Sequence, residues 1–522
     1  MIAEPVANAS VGSLVLLHFA ALIECCATSP RRLLCAATRF GPQLRRNVIN
    51  MNSKTCIKSL PAALTALLAG SLVVAGCSSA GTGTMTTTPT AESGSSFVVG
   101  TDAPMKSVVS FSVQVENVTA SDNNGNSVAL ISGTPTVDFA RFNGLQTLLD
   151  MNDVNAGTYN NISITLGAAT IGYLQTQAGS APTIQTMAAM YPNSASTFTF
   201  TATLNNPIVV AQNGAPAGLH LDFDLHKSIG VDSNGNINGD VTPTFNVNGV
   251  NNTDPGAYID CFDAAVVSVN ADAQSFVVQG PHGREFTVNV NGNTEWETNE
   301  GLGNLSTSSI VALSGTLDRA DMTIDADDVA ILSQNGFYAG GQVTNVNPSS
   351  GPASSFDLYV RGLLPSTTGL TLGQIATVDL SGNEKYFIYW FHNPLTEFVF
   401  NDGLLLPGQH VSVGGPATGA ANPKDVTVKR VVLRDWGFNG TVVANSTNSD
   451  NGTFQMQING FAGLLVPQTV TVYTAGRTQF RDGLAGMGSL TAGANVRVVG
   501  LLIKSPLYGS TVLLAHYVDD LD

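Results

Sequence analysis

Charged residues are scarce in this chain of 522 residues, where Asp, Glu, Lys and Arg together make up 11% of the sequence. Basic residues are the scarcer kind: 22 Lys and Arg stand against 38 Asp and Glu, which gives a formal net charge of −16 at pH 7. No basic patch with interleaved aromatic residues is present. Because a net negative chain repels nucleic-acid phosphates, this composition argues against a nucleic acid as the partner.

The sequence also lacks the short motifs of several enzyme classes. It contains no Gly-x-Ser-x-Gly elbow, no His-Glu-x-x-His pair and no phosphate-binding glycine loop. Long stretches rich in Ala, Leu, Glu and Lys are absent from the body of the chain, whereas Thr, Val, Asn and Gly are abundant. Thr and Val favour strands, and Asn and Gly favour tight turns. The composition therefore predicts a secreted all-β protein, and we expect no enzymatic activity.

An apolar run ends at Val74-Ala75-Gly76-Cys77, and small polar residues follow at once. This segment, residues 71–79, resembles the lipobox of bacterial lipoproteins. The resemblance implies that a peptidase cuts before Cys77 and that Cys77 then carries lipid. The partner implied by this lipid anchor is a membrane.

A signal peptide is expected directly before the lipobox. Lys54 and Lys58 supply its basic region, and residues 60–75 supply its apolar core. We therefore predict a lipoprotein signal peptide over residues 51–76. Residues 1–50 do not fit this pattern, and we interpret them as an over-extended gene start.

Cleavage before Cys77 would leave a more acidic body with few cysteines. The residues before Cys77 contain seven Lys and Arg but two Asp and Glu, so 15 basic and 36 acidic residues remain, a balance of −21. Of the six cysteines only Cys77 and Cys261 remain, so a lipid on Cys77 excludes an intramolecular disulfide. Ser78 stands where many inner-membrane lipoproteins carry Asp, so the resemblance implies a cell-envelope location at the outer membrane.

Two segments follow the anchor. Residues 77–95 are rich in Thr, Ser and Gly and are predicted to form a flexible tether. Residues 96–251 are predicted to form one domain, because they show the alternation of half-buried β-strands. The predicted core-facing positions are Val109, Phe111, Val113 and Val115 in one strand, and Leu219, Leu221, Phe223 and Leu225 in another.

Three local patterns occur in order along this domain: Thr101-Asp102-Ala103-Pro104, Ala156-Gly157-Thr158-Tyr159, and the segment LHLDFDLHKSI at residues 219–229. Together they resemble a bacterial lipoprotein domain of unknown function, the family numbered 4382, over roughly residues 95–250. The resemblance implies an antiparallel β-sandwich. It implies no known activity and supplies no catalytic residues.

A threefold repeat follows the sandwich domain. Its markers are an aromatic motif (Thr294-Glu295-Trp296, Thr396-Glu397-Phe398 and Thr478-Gln479-Phe480) and a strand that ends in glycine (Gly315, Gly415 and Gly500). Each unit has about five short strands, too few to bury an open sheet, so we expect each to close into a small OB-like barrel. The barrels are predicted at residues 259–334, 335–434 and 435–522. They resemble a second bacterial family of unknown function, numbered 5666, whose barrel-like repeats occur in envelope proteins.

The sharpest candidate site is His220-x-Asp222-x-Asp224-x-His226, because a strand would place all four side chains on one face. Imidazole and carboxylate suit Zn²⁺ or another divalent metal, which is the one cofactor that the sequence suggests. Side chains at alternate positions stand about 6–7 Å apart, so one ion would need help from a neighbouring strand. The alternative interpretation is the polar solvent face of a sheet.

A second candidate is the aromatic run from Tyr386 to Phe391. Alternation would place Tyr386, Ile388 and Trp390 on one face and Phe387, Tyr389 and Phe391 on the other. Exposed aromatic rings stack on sugars, so Tyr386, Tyr389 and Trp390 are candidate ligand-binding residues. The alternative is a core strand buried on both faces, or a contact between domains.

These observations lead to two hypotheses about function. The first is a lipid-anchored, non-enzymatic envelope protein, an extended rod of a sandwich and three barrels that binds or scaffolds a glycan or another envelope protein. The second is a metal-dependent hydrolase with its site between domains. A deep polar cleft joining His220, Asp222 and a carboxylate of a second domain would favour the hydrolase. Filled barrels with shallow grooves would favour the binding protein.

Overall fold

The structure is a computed structural model, and it describes residues 93–103, 108–175, 183–212, 217–233, 236–250, 258–280, 283, 285–296, 300–318, 323–365, 369–389, 399–416, 425–458, 468–504 and 510–521. The predicted gene start, signal peptide, lipid-carrying Cys77 and most of the tether lie outside these residues. No helix of the described part is long and apolar enough to cross a membrane.

The all-β prediction is confirmed, since strands dominate the described residues. The sandwich contains β1 (Ser93–Ala103), β2 (Val108–Ser121), β3 (Ser127–Ala129), β4 (Thr136–Asp138), β5 (Thr147–Asn155), β6 (Gly157–Gln175), β7 (Thr183–Ala188), β8 (Phe198–Val210), β9 (Ala217–Asp224), β10 (Ile229–Val231), β11 (Ile237–Val241) and β12 (Phe245–Val250). A single-turn helix, α1 (Leu225–Ser228), follows β9, and 3-10 turns occupy Phe139–Phe142 and Pro192–Ser194.

Two sheets form the sandwich. One has the strand order β12-β9-β1-β5, and the other has β3-β2-β6-β7 with β4 added to β2 and β8 added to β6. The expectation of a purely antiparallel sandwich is wrong for one pair, because β1 and β9 run parallel. A parallel pair needs a long crossover connection, and the many strands between β1 and β9 in the chain supply one.

The alternating pattern predicts the sandwich core well but not at every position. Leu219, Leu221 and Phe223 are fully buried, and the ring of Phe223 stacks on that of Phe245 at 4.5 Å. Each such side chain contributes about 1.5–3 kcal/mol through burial. Val109 departs from the predicted face, because the register of β2 shifts between Val108 and Ser110 and Val109 packs on a tyrosine of the second barrel.

The remaining strands form three barrels. The first contains β13 (Tyr258–Asn270), β14 (Ser275–Gln279), β15 (Glu285–Asn289), β16 (Glu295–Trp296), β17 (Ile310–Asp318) and β18 (Thr323–Ser333). The second contains β19 (Phe337–Asn347), β20 (Ser355–Leu364), β21 (Ile375–Asp379), β22 (Lys385–Ile388), β23 (His410–Gly415), β24 (Asp425–Thr427) and β25 (Arg430–Arg434). The third contains β26 (Trp436–Val442), β27 (Thr453–Ile458), β28 (Gln468–Arg481), β29 (Asn495–Lys504) and β30 (Thr511–Asp520). A 3-10 turn lies in each barrel, at Leu302–Asn304, Asp402–Leu404 and Met487–Ser489.

One strand order is common to the barrels. The third barrel closes as β26-β27-β28-β30-β29, and the first closes in the same way because β15 pairs with β18. In the second barrel β24 pairs with β21 and β25 pairs with β23, so two consecutive segments replace the single last strand. Apolar side chains fill each interior; in the third barrel these include the fully buried Val472, Val496, Val498 and Val518.

The repeated glycines have a steric cause. Gly315 lies in β17, Gly415 in β23 and Gly500 in β29, where the backbone of the last strand approaches closely. A Cβ atom would collide with a main-chain oxygen at each position: Gly315 with Asp325, Gly415 with Thr427, and Gly500 with Leu514. The glycine that marks each repeat is therefore required by strand contact within the barrel.

Substituting Gly500→Ala should lower the free energy of unfolding by at least about 2 kcal/mol, because the strands β29 and β30 must separate to admit the methyl group. Gly292→Ala is the matched control, since a Cβ at Gly292 meets no atom within 4 Å. Denaturant unfolding of both variants measures the difference. Equal stability of the two variants would contradict this account.

The hydrogen-bond register corrects one part of the repeat. The equivalent aromatic residues pair with equivalent valines: Trp296 with Val329, Tyr386 with Val431, and Phe480 with Val518. The sequence pattern assigns Phe398 to this position in the second barrel, and that assignment is wrong because Tyr386 fills it. Residues 396–398 lie outside the described residues. Inserted residues shift the apparent motif in the second barrel. The pattern of a single sequence does not show which residues pair between strands.

Candidate functional site at the junction of the domains

The four residues of the predicted metal site do not share one strand. Strand β9 ends at Asp224, and His226 lies on α1 with an exposed side chain. The Asp224 carboxylate accepts a hydrogen bond from the backbone N–H of Lys227 at 2.9 Å, and this cap turns the chain into a helical turn. The prediction of one polar strand face is therefore wrong for His226.

Asp222 has a partner of its own, whereas the buried Nε2 of His220 has no hydrogen-bond partner among the described residues. Burial lowers the pKa of the half-buried His220, and the nearby Asp222 opposes that shift. Asp222 accepts a hydrogen bond from the side chain of Asn246 at 3.1 Å. Among the described residues, no group of three or more His, Cys, Asp or Glu side chains is placed to hold a metal ion.

The aromatic run is a contact between domains. Tyr386 and Ile388 pack on the core of the second barrel, whereas Phe387 and Tyr389 face the first barrel, so the predicted alternation is confirmed. Tyr389 is 2% exposed, and its hydroxyl lies 2.7 Å from that of Ser314. The prediction that Tyr389 stacks on a sugar is wrong, because both its faces are covered. Trp390 lies outside the described residues.

The strand β13 carries a buried aspartate that joins three domains. One oxygen of Asp263 accepts hydrogen bonds from Arg141 of the sandwich and from the Tyr338 hydroxyl of the second barrel, each at 2.6 Å. Its other oxygen accepts a hydrogen bond from Arg434, also of the second barrel, at 2.9 Å. Both carboxylate oxygens are therefore occupied by charged or phenolic donors.

The charge of Asp263 is held inside the protein. Burial alone would raise the pKa of this carboxyl, but Arg434 and Arg141, with the Tyr338 hydroxyl, hold it below its usual range. Removing one partner of a buried ion pair leaves an uncompensated charge in a medium of low polarity. The three domains are thus coupled through one ionised side chain.

A second aspartate of β13 joins the third barrel to the same junction. Asp260 accepts a hydrogen bond from the Tyr517 hydroxyl at 2.5 Å and one from the backbone N–H of Gln146, in the sandwich, at 2.9 Å. The guanidinium of Arg481 lies over the Tyr517 ring at 3.8 Å and donates a hydrogen bond to the carbonyl of Gly144. Asp260 thereby connects the first barrel to the sandwich and to the third barrel.

Asp435, the residue between β25 and β26, is the centre of the contact between the second and third barrels. Its carboxylate lies 3.1 Å from Nδ1 of His516, and its carbonyl oxygen lies 3.1 Å from Nδ1 of His410. Burial lowers the pKa of His410 to about 3, and Arg434 adds to this effect. His410 is therefore neutral, and its Nδ1–H donates to the carbonyl.

Further contacts cross two of the boundaries between these domains. Arg430 of the second barrel binds both carboxylate oxygens of Glu300 in the first, at 2.5 and 3.1 Å. Asn143 of the sandwich donates to the carbonyl of Gly437 in the third barrel at 2.7 Å. The expectation of an extended rod is wrong, because residues 87–522 form one compact unit with buried contacts between its domains.

The two resemblances agree with comparisons to known families. Residues 97–238 match the family model described as Domain of unknown function (DUF4382). Residues 265–330 match the one described as Domain of unknown function (DUF5666). This chain therefore contains one region similar to each family, and each match covers less than half of the chain. No curated protein matches the chain.

A cavity of about 150 Å³ opens where the DUF4382 sandwich meets the first and second barrels. Its apolar lining includes Phe142, Leu148, Phe262 and Leu364, and its charged lining comprises Asp138, Arg141, Asp263 and Arg361. Burial raises the pKa of Asp138, while Arg361, 3.8 Å away, opposes that shift. An apolar wall with a few convergent polar groups is the usual form of a small-ligand pocket.

The sequence patterns did not predict the junction between the sandwich and the barrels. Two features of the sequence could have indicated it. Asp260 and Asp263 are carboxylates within an apolar strand, and Arg430 and Arg434 flank the apolar residues Val-Val-Leu. In a chain with 11% charged residues, a charge inside a buried strand predicts a partner from elsewhere. The identity of that partner depends on the tertiary structure.

Proposed function

We propose that the chain is a lipid-anchored cell-envelope protein that binds or scaffolds a glycan or another envelope protein. The observation that carries this proposal is the junction at Asp260 and Asp263, which couples the sandwich to all three barrels. Buried, hydrogen-bonded charges restrict the relative motion of the domains that share them. A binding surface that spans two domains is then held ready before its ligand arrives, which lowers the entropic cost of binding.

The proposed anchor is the lipid on Cys77. Substituting Cys77→Ala should abolish labelling of the protein by a radioactive fatty acid and should move the chain from the membrane fraction to the soluble fraction. Cys56→Ala is the control, since Cys56 lies in the predicted signal peptide and should leave labelling intact. Undiminished labelling of the Cys77 variant would refute the anchor.

The binding role is tested with the detergent-solubilised full chain. The protein is immobilised and incubated with envelope extracts, and in parallel it is applied to a glycan array. We expect a glycan or an envelope protein to be retained in a saturable way. Retention of neither class would contradict the proposed function.

A further inference from the structure

A groove of about 350 Å³ lies where the first barrel meets the second. The end of β18 and the turn after it form one wall, and β22, β23 and β25 form the other. This volume falls in the range of small-ligand pockets, which span about 300–1,000 Å³. The groove is separate from the cavity beside Asp263.

The groove is positively charged within a strongly acidic chain. Lys385 pairs with Arg430 in the parallel register of β22 and β25, and Lys429 precedes Arg430, so three cationic residues adjoin. Glu300 neutralises Arg430, whereas the exposed Lys385 and Lys429 have no ion-pair partner among the described residues. By contrast, every arginine of the described part lies within 4 Å of a carboxylate: Arg141, Arg361, Arg430, Arg434, Arg477, Arg481 and Arg497.

The rest of the lining is uncharged and includes both polar side chains and apolar surface. Gln334, Asn335 and Asn383 present exposed amide side chains, and the buried Gly414 and Gly415 line the groove beside them. Amide groups offer both donors and acceptors, which is what sugar hydroxyls require. The described lining includes no carboxylate.

The nearest carboxylate along the chain is engaged elsewhere. Glu384 precedes Lys385, but its oxygens accept hydrogen bonds from the backbone N–H and hydroxyl of Ser381 and from the backbone N–H of Gly382. This turn satisfies the negative charge without Lys385. The two lysines are therefore left to attract an anion from outside the chain.

We propose that this groove binds a carboxylate-bearing oligosaccharide, with Lys385 and Lys429 at the carboxylates and the amide side chains at the hydroxyls. The inference rests on the proposed binding function and names its ligand class. Charges are screened over about 8–10 Å at physiological salt, so two lysines act locally although the chain as a whole is acidic. A long nucleic acid would extend beyond the groove over acidic surface and be repelled.

The test uses the full chain and calorimetric titration with tetragalacturonate, an acidic oligosaccharide, and with its uncharged methyl ester. We expect the acid to bind and the ester to bind at least about tenfold more weakly, which corresponds to 1.4 kcal/mol. The double variant Lys385→Gln/Lys429→Gln should lose at least about tenfold in affinity for the acid. Lys227→Gln, the same charge change on the sandwich, should keep the affinity within about twofold.

Three outcomes would overturn the proposal that the groove binds an acidic oligosaccharide. They are no binding of the acid to the native chain, equal affinity of the native chain and the double variant for the acid, or equal affinity of the native chain for the acid and the ester. Equal binding of a tetraglutamate peptide would show that the groove takes acidic peptides, and would refute the oligosaccharide. Retention of envelope material by both the native chain and the double variant would leave the proposed function standing while the groove fails. Retention of envelope material by neither chain would refute both the proposed function and the groove.

Discussion

Asp263→Asn should lower the free energy of unfolding of the full chain by about 3–5 kcal/mol. The substitution keeps the size of the side chain and removes its charge. Arg141 and Arg434 then remain near one another without the carboxylate that lies 2.6 and 2.9 Å from them. Each guanidinium loses its buried carboxylate partner, and this loss weakens the contact of the first barrel with the sandwich and the second barrel.

Denaturant unfolding of the native chain and the variant measures this loss. Asp272→Asn is the matched control, because Asp272 is exposed in the turn after β13 and its substitution should change stability by less than about 0.5 kcal/mol. A second comparison isolates the pair of Asp263 and Arg434. Arg434→Met should lower the free energy of unfolding by less in the Asp263→Asn background than in the native chain. Equal costs in the two backgrounds, or equal stability of the two Asp variants, would disprove the coupling.

The second large effect is a loss of stability in mild acid that originates at His410. Its ordinary pKa of 6.5 falls to about 3 in the folded protein, because the ring is buried and Arg434, Arg361 and Arg141 are nearby. The unfolded chain therefore binds a proton between these values while the folded chain does not, so stability falls as the pH falls below 6.5. From pH 7 to pH 4 this loss is about 3 kcal/mol.

The measurement is the slope of unfolding free energy against pH for the native chain and for His410→Gln. The glutamine amide retains a donor for the carbonyl of Asp435 but does not titrate, so its slope between pH 4 and pH 6.5 should be shallower. His226→Gln, at an exposed histidine, should keep the native slope. Parallel slopes for the native chain and His410→Gln would exclude His410 as the origin.

Three other titrating groups do not affect this comparison. Asp263 and Asp519 have lowered pKa values, so their stabilisation is lost only as the pH falls below about the ordinary value of 3.8. Asp435 has a raised pKa, mainly from burial, and acts with the opposite sign. Its contribution is common to the native chain and the variant and cancels when their slopes are subtracted.

Local patterns predicted the parts of the fold that depend on short-range geometry. Alternation along β9 identifies Leu219, Leu221 and Phe223 as core residues, because a strand side chain points to one face or the other whatever its neighbours are. The same rule assigns the two faces of Tyr386–Tyr389 correctly. It fails at His226, where the Asp224 cap ends the strand, and at Val109, where a bulge reverses the face.

The candidate sites show the limit of such patterns more sharply. A polar strand face and an aromatic run are visible in sequence, but whether each is exposed depends on what packs against it. Tyr389 is covered by the first barrel, and the repeat position assigned to Phe398 belongs to Tyr386. Strand register and domain contacts arise between residues far apart in the chain, so no local signal carries them.

The amino-acid sequence by itself determined that this is an all-β protein with two recognisable domain families, three repeated units and a glycine at each barrel strand crossing. Only the tertiary structure decided where its few charges act. Asp263 acquires its role from Arg141, 122 residues earlier, and from Arg434, 171 residues later. A buried charge requires a partner for electrostatic reasons, but the choice of partner is made by the packing of whole domains.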